Sequence, residues 1–136
     1  MTADPIVSVL EAELETARAL VETLEQQRRA LIARDLERLS ELTEILEGQF
    51  EHFNTVLQTR TQAMQEAPEL TDRHADLVRR ISRAEVRVVN LATLNQDLVA
   101  DRLAYVGAML GALLPECGDG YQPGAARPAL SVSRSA

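Results

Sequence analysis

Apolar residues recur every three or four positions along most of the chain, a pattern that predicts long amphipathic helices. Asp4-Pro5 marks a helix start, because Asp caps helices and Pro fits the first helical position. The first helix is predicted at about residues 5–33 and has a seam typical of coiled coils. The seam consists of Val7, Leu10, Leu14, Ala17, Val21, Leu24 and Leu31.

A second helix is predicted at about residues 36–66. Asp35 can cap it, and the pair Ala67-Pro68 ends it, because a residue before Pro disfavours the α conformation. No Gly or Pro stands near Asp35, so the pattern leaves both a kink and a full reversal open there. The apolar positions of this helix are Leu36, Leu39, Leu42, Ile45, Leu46, Phe50, Phe53, Val56 and Leu57.

A third helix is predicted at about residues 69–114, with a cap near Ala67 or Thr71. Its seam runs through Leu70, His74, Leu77, Ile81, Ala84, Val88, Leu91, Asn95, Leu98, Arg102, Tyr105, Met109 and Ala112. A second apolar stripe appears only late, at Val99, Leu103, Val106, Leu110 and Leu113. The end of the helix, LAYVGAMLGALLP, has no charged residue.

Together these elements predict an all-α fold, an elongated antiparallel bundle of three long helices with coiled-coil-like seams. The predicted domain covers residues 1–115, and the Gly- and Pro-rich residues 116–136 form a flexible tail. The third helix would be about 68 Å long and the second about 45 Å, at about 1.5 Å per residue. Residues from about 101 onward would then lack a partner from the second helix.

The net charge of −7 argues against nucleic-acid binding as the function, and the acidic excess lies in residues 1–66. All 14 basic residues are Arg. Arg79, Arg80, Arg83 and Arg87 form a basic strip that either binds an anion or pairs with the second helix. The matching spacing of Glu41, Glu44, Glu47 and Glu51 favours the pairing.

Residues with catalytic or metal-binding potential are few, and the sequence predicts no catalytic, cofactor or metal site. His52 and His74 do not share a metal-ligand spacing, and no phosphate-binding loop is present. His74 lies on the seam, which favours a structural role. The single Cys117 suits a reducing compartment, and no signal peptide or membrane span is recognisable. We therefore expect a cytoplasmic protein that is not an enzyme.

The chain resembles the FlgN family of flagellar type III export chaperones over roughly residues 6–121. The resemblance rests on LEQQRRALIARDLERLSELTEILEGQ, with its Asp-Leu break between two Leu/Glu helices, and on NLATLNQDLVADRLAYVGAMLGALL, followed by a short Gly-Asp-Gly segment. Where the family pattern would place an aromatic residue before that segment, this chain has Cys117, with Tyr121 just after it.

The resemblance implies a chaperone that binds the C-terminal helices of hook-filament junction proteins, keeps them from assembling and delivers them to an export apparatus component. The apolar end of the third helix is the candidate binding surface for these clients, and Tyr121 is a candidate contact to the export gate. The alternative is a homodimeric coiled-coil structural or adaptor protein that pairs through the third helix. The candidate client-binding residues are Val99, Leu103, Val106, Gly107, Met109, Leu110, Gly111, Leu113 and Leu114.

Overall fold

The structure, a computed structural model, describes residues 4–66 and 69–114. It contains three helices, α1 (Pro5–Ala33), α2 (Leu36–Glu66) and α3 (Asp72–Leu113). No strand occurs in these ranges, and the all-α prediction is confirmed. The bounds of α1 and α2 match the prediction, whereas α3 begins at Asp72 rather than at residue 69. The predicted flexible tail, residues 116–136 with Cys117 and Tyr121, lies outside the described residues.

The chain divides into two compact units, Met1–Ala92 and Thr93–Ala136. In the first unit, Ile6 and Leu10 of α1 pack with Leu77 and Ile81 of α3. Further along α1, Leu20 and Leu24 pack with Leu46 of α2 and with Val88 and Leu91 of α3. Met64 of α2 packs against the first of these clusters, so α2 runs antiparallel to α1, and residues 72–92 of α3 run parallel to α1.

The start of α1 is tied to the start of α3 by polar contacts. The Asp4 carboxylate caps α1 by accepting hydrogen bonds from the backbone N–H groups of Ile6 (3.0 Å) and Val7 (3.4 Å). Its other oxygen lies 2.8 Å from Nε2 of the buried His74, while His74 Nδ1 accepts from the Thr71 N–H at 3.0 Å. The hydrogen bond from His74 is the main cause that lowers the pKa of Asp4. His74 is therefore structural, as its seam position suggests.

The polypeptide reverses direction between α1 and α2 at Arg34 and Asp35. Arg34 adopts the left-handed conformation, with φ 59°, and its N–H bonds back to the last turn of α1. Asp35 then caps α2, since its side chain accepts a hydrogen bond from the Arg38 N–H at 3.0 Å. Of the two arrangements that the sequence leaves open at Asp35, the structure has the reversal.

The core lies mainly along α1, and α2 contributes a narrower stripe than its sequence suggests. Leu42, Leu46 and Val56 are the buried apolar residues of α2. Leu36, in contrast, is 79% exposed, and Ile45 and Phe50 are also exposed. The spacing of apolar residues along α2 therefore identifies more positions than the neighbouring helices cover.

Candidate functional site

The end of α3 exposes more large apolar side chains than any helical stretch of the first unit that the structure describes. We call residues 99–114 the apolar segment. Leu103, Tyr105, Val106, Leu113 and Leu114 are each at least half exposed. Val99, Met109 and Leu110 are exposed as well. Soluble proteins rarely expose a contiguous apolar patch of this kind unless it binds another molecule.

The spacing of these side chains makes the patch continuous. With 3.6 residues per helical turn, Val99, Leu103, Val106, Leu110 and Leu113 recur at intervals of three and four and share one face. Tyr105 and Met109 lie on the adjoining face and are also exposed. The last charged residue of the described segment is Arg102, so nothing charged interrupts the patch from residue 103 to residue 114.

Two glycines give this patch an uneven surface. Gly107 is buried beside its larger neighbours, and Gly111 is half-buried. Glycine removes a side chain from the helix surface, so a second helix can approach the backbone closely there. Met109 stands between them in sequence, and its flexible thioether adapts to irregular partners. These residues provide a surface suited to helix docking.

The structure places the candidate client-binding residues from Val99 to Leu113 on α3, and Leu114 directly follows the helix. Upstream of the segment, the seam residue Asn95 on the same helix is buried. Tyr121, the candidate export-gate contact, lies outside the described residues.

A match to a known family identifies the class of protein to which this helical fold belongs. The family model described as FlgN protein matches residues 1–127 of the chain. The chain belongs to the FlgN family. Its general role is therefore that of a flagellar export chaperone, a family of binding proteins rather than of enzymes. No curated protein and no solved structure gave a significant match.

Within residues 4–66 and 69–114, no helix is long and apolar enough to cross a lipid bilayer. The same residues contain no cluster of three side chains that could hold a metal ion.

The basic strip on α3 has different partners from those that the sequence suggests. Arg87 Nη2 lies 2.6 Å from Glu25 Oε1 on α1, and Arg80 Nε lies 3.1 Å from Asp76 on its own helix. The expected pairing with the glutamates of α2 is thus wrong for both arginines. The reason is geometric: this part of α3 runs beside α1, and the carboxylates within reach are those of Glu25 and Asp76.

Sequence reasoning also missed a buried ion pair. Glu13 of α1 has a side chain with no exposed surface, and both of its oxygens lie 3.2 Å from Arg60 Nη1 of α2. Burial raises the pKa of Glu13, the Arg60 charge opposes this, and the nearby Glu85 carboxylate adds to the rise. The sequence held one sign that Glu13 is buried, because this residue lies between the seam positions Leu10 and Leu14. A charged residue in such a pattern is nevertheless normally assigned to the solvent side.

Proposed function

We propose that this FlgN-family chain uses the apolar segment to bind the C-terminal helices of flagellar hook-filament junction proteins. The binding keeps these clients from assembling early, and the loaded chaperone delivers them to a component of the export apparatus in the cytoplasm. The observation that supports this proposal is the row of exposed apolar side chains on residues 99–114. An amphipathic client helix would cover that row through contacts spaced at three and four residues.

The proposal is tested with two charges placed in the centre of the patch. Val106→Glu with Leu110→Glu should weaken binding of a client C-terminal helix by about 3 kcal/mol, which is roughly a hundredfold or more in Kd, because each carboxylate would enter an apolar contact. Both side chains are exposed, so the variant should keep its helicity. Titration calorimetry with the purified client measures the effect.

The matched control is Val86→Glu with Val89→Glu. These side chains are 59% and 63% exposed on the same helix, but they belong to the first unit. The control adds the same charge and should leave client binding within about twofold of the unaltered chain. Equal binding by both variants would show that the apolar segment is not the client site.

Comparing the unaltered chain with Val106→Glu with Leu110→Glu also distinguishes a chaperone from a homodimeric adaptor protein. If the segment serves chiefly for self-pairing, the unaltered chain is a stable dimer at micromolar concentration and Val106→Glu with Leu110→Glu converts it to a monomer. In that case a client helix would bind neither the unaltered chain nor the variant. Sedimentation measurements with and without client therefore decide between the two functions.

A further inference from the structure

A second surface, in the first unit, lies in a groove between α1 and α3. The groove has a volume of about 450 Å³ and is lined by Arg18, Val21, Arg80, Arg83, Ala84 and Arg87. Four of its six lining residues are therefore arginines, in a chain whose net charge is −7. We call it the arginine groove, and nothing in the proposed client-binding function depends on it.

The arginines of this groove are of two kinds. Arg80 and Arg87 are held by Asp76 and Glu25, in ion pairs with N–O distances of 3.1 and 2.6 Å. Arg18 from α1 and Arg83 from α3 are exposed, and neither has an ion pair or side-chain hydrogen bond within residues 4–66 and 69–114. The paired arginines define the walls, and the other two leave positive charge available to a partner.

The floor of the groove is apolar. Val21 and Ala84 are half-buried there, and both pack at the edges of the core clusters of the first unit. An apolar floor between guanidinium groups fits an amphipathic helix with small aliphatic residues facing inward and carboxylates at both margins. A free inorganic anion would use the arginines but not the floor. A second copy of this chain would have to overcome the mutual repulsion of two net charges of −7.

From this chemistry we propose that the arginine groove docks an acidic amphipathic helix of another protein. Carboxylates of that helix pair with Arg18 and Arg83, and an aliphatic side chain of the helix contacts Val21 and Ala84. Arginine suits this role because its planar guanidinium binds a carboxylate with two parallel hydrogen bonds. Nucleic acid is disfavoured by the chain's overall negative charge.

The test uses the full chain and a fluorescent helical peptide of leucine, alanine and glutamate, with leucines at intervals of three and four between the glutamates. Arg18→Glu with Arg83→Glu should weaken peptide binding at least about tenfold, because attraction becomes repulsion. The same variant should bind a peptide in which lysines replace the glutamates. Arg18→Gln with Arg83→Gln removes the charge alone and should bind neither peptide well.

The matched control is Arg28→Glu with Arg29→Glu, which makes the same change in net charge on α1 outside the groove. It should change binding less than about threefold, since charges outside the groove act on the peptide only through salt-screened interactions. Binding that persists in Val106→Glu with Leu110→Glu separates the groove from the apolar segment, so this proposal and the client-binding proposal can fail independently.

Several outcomes would overturn the inference. Equal peptide binding by the groove and control variants would place the peptide elsewhere, and no saturable binding at millimolar peptide would exclude an acidic helix as the occupant. Binding of inorganic phosphate alone would indicate a small-anion site. A concentration-dependent dimer that Arg18→Glu with Arg83→Glu abolishes would show that a second copy fills the groove.

Discussion

At the scale of single residues, the carboxylate of Glu13 is buried at an energetic cost. Within residues 4–66 and 69–114 it forms an ion pair with Arg60 on α2, and Glu85 on α3 brings a second negative charge near it. One oxygen of Glu85 is itself buried and accepts no hydrogen bond within the described residues. Removing the Glu13 charge from water has a free-energy cost that one ion pair to the partly exposed Arg60 largely cancels, so the contact adds little net stability.

The Glu13 carboxylate gives a first prediction, for the pH dependence of unfolding. Because the folded-state pKa is raised above 4.5, the folded protein holds a proton that the unfolded chain has already lost. The free energy of unfolding should therefore fall as the pH rises from 4.5 through the raised pKa. Glu13→Gln cannot titrate and should remove that part of the fall. Urea titrations followed by circular dichroism between pH 4.5 and neutrality measure it.

Glu22→Gln is the control for this prediction, since it removes an exposed carboxylate from the same helix. It should leave the slope of stability against pH close to that of the unaltered chain. If Glu13→Gln also keeps that slope, the side chain of Glu13 is not desolvated in solution as it is in the structure.

At the scale of helices, the reversal between α1 and α2 depends on a residue type that rarely adopts the required conformation. Arg34 has φ 59°, a conformation that glycine adopts without strain and that costs other residues about 1–2 kcal/mol. Helices often end with glycine at this position. The chain reverses here although its sequence has no glycine at the turn.

A second prediction follows for Arg34→Gly, which should stabilise the protein by about 0.5–1 kcal/mol, because the relief of strain exceeds the added freedom of the unfolded chain. Arg34→Val should destabilise it, since a branched side chain is strained at positive φ. Denaturant midpoints measure both. Arg29→Gly, at an exposed helical position, should instead cost about 1 kcal/mol, and a similar loss for Arg34→Gly would contradict the left-handed turn.

The helices were therefore predictable from the sequence, whereas the contacts between helices were predictable only in part. Caps and periodicity predicted Asp4, Asp35 and the bounds of α1 and α2, because these are local effects of the backbone. The left-handed conformation of Arg34 at the reversal was not predictable, since only tertiary packing compensates its strain. Nor was the pairing of Arg87 with Glu25, because charge spacing along two helices does not reveal which one lies alongside.

The exposed apolar side chains of the candidate site were predictable for a different reason. A stretch without charge on an otherwise charged helix is visible in sequence, and the structure leaves its apolar side chains exposed. The arginine groove was only half visible, because its α3 arginines form a recognisable strip while Arg18 is an isolated residue on α1. A groove formed by two helices can be predicted only when the packing of those helices is known.

At the scale of the whole molecule, burial is distributed unevenly between the two units. The first unit buries Leu10, Leu20, Leu42 and Ile81 almost completely. In the described part of the second unit, the large apolar residues from 99 to 114 are exposed. Stability is therefore concentrated in the first unit. The surface proposed to bind clients belongs to the second unit, whose described residues bury less apolar area.

This distribution gives the last prediction, on hydrogen exchange of the backbone amides in the free chain. Amides within residues 10–24 should exchange at least about tenfold more slowly than those within residues 103–113, because opening the apolar segment exposes little additional apolar surface. Gly107 and Gly111 lower the helix propensity further, by about 1 kcal/mol each. Exchange followed by mass spectrometry at low micromolar concentration measures the difference. Addition of a client helix should slow exchange in residues 103–113 without changing residues 10–24.

Equal protection of the two regions in the free chain would mean that the apolar segment is already covered. If that protection rises with protein concentration, copies of the chain pair through the segment, and a client must displace one copy to bind.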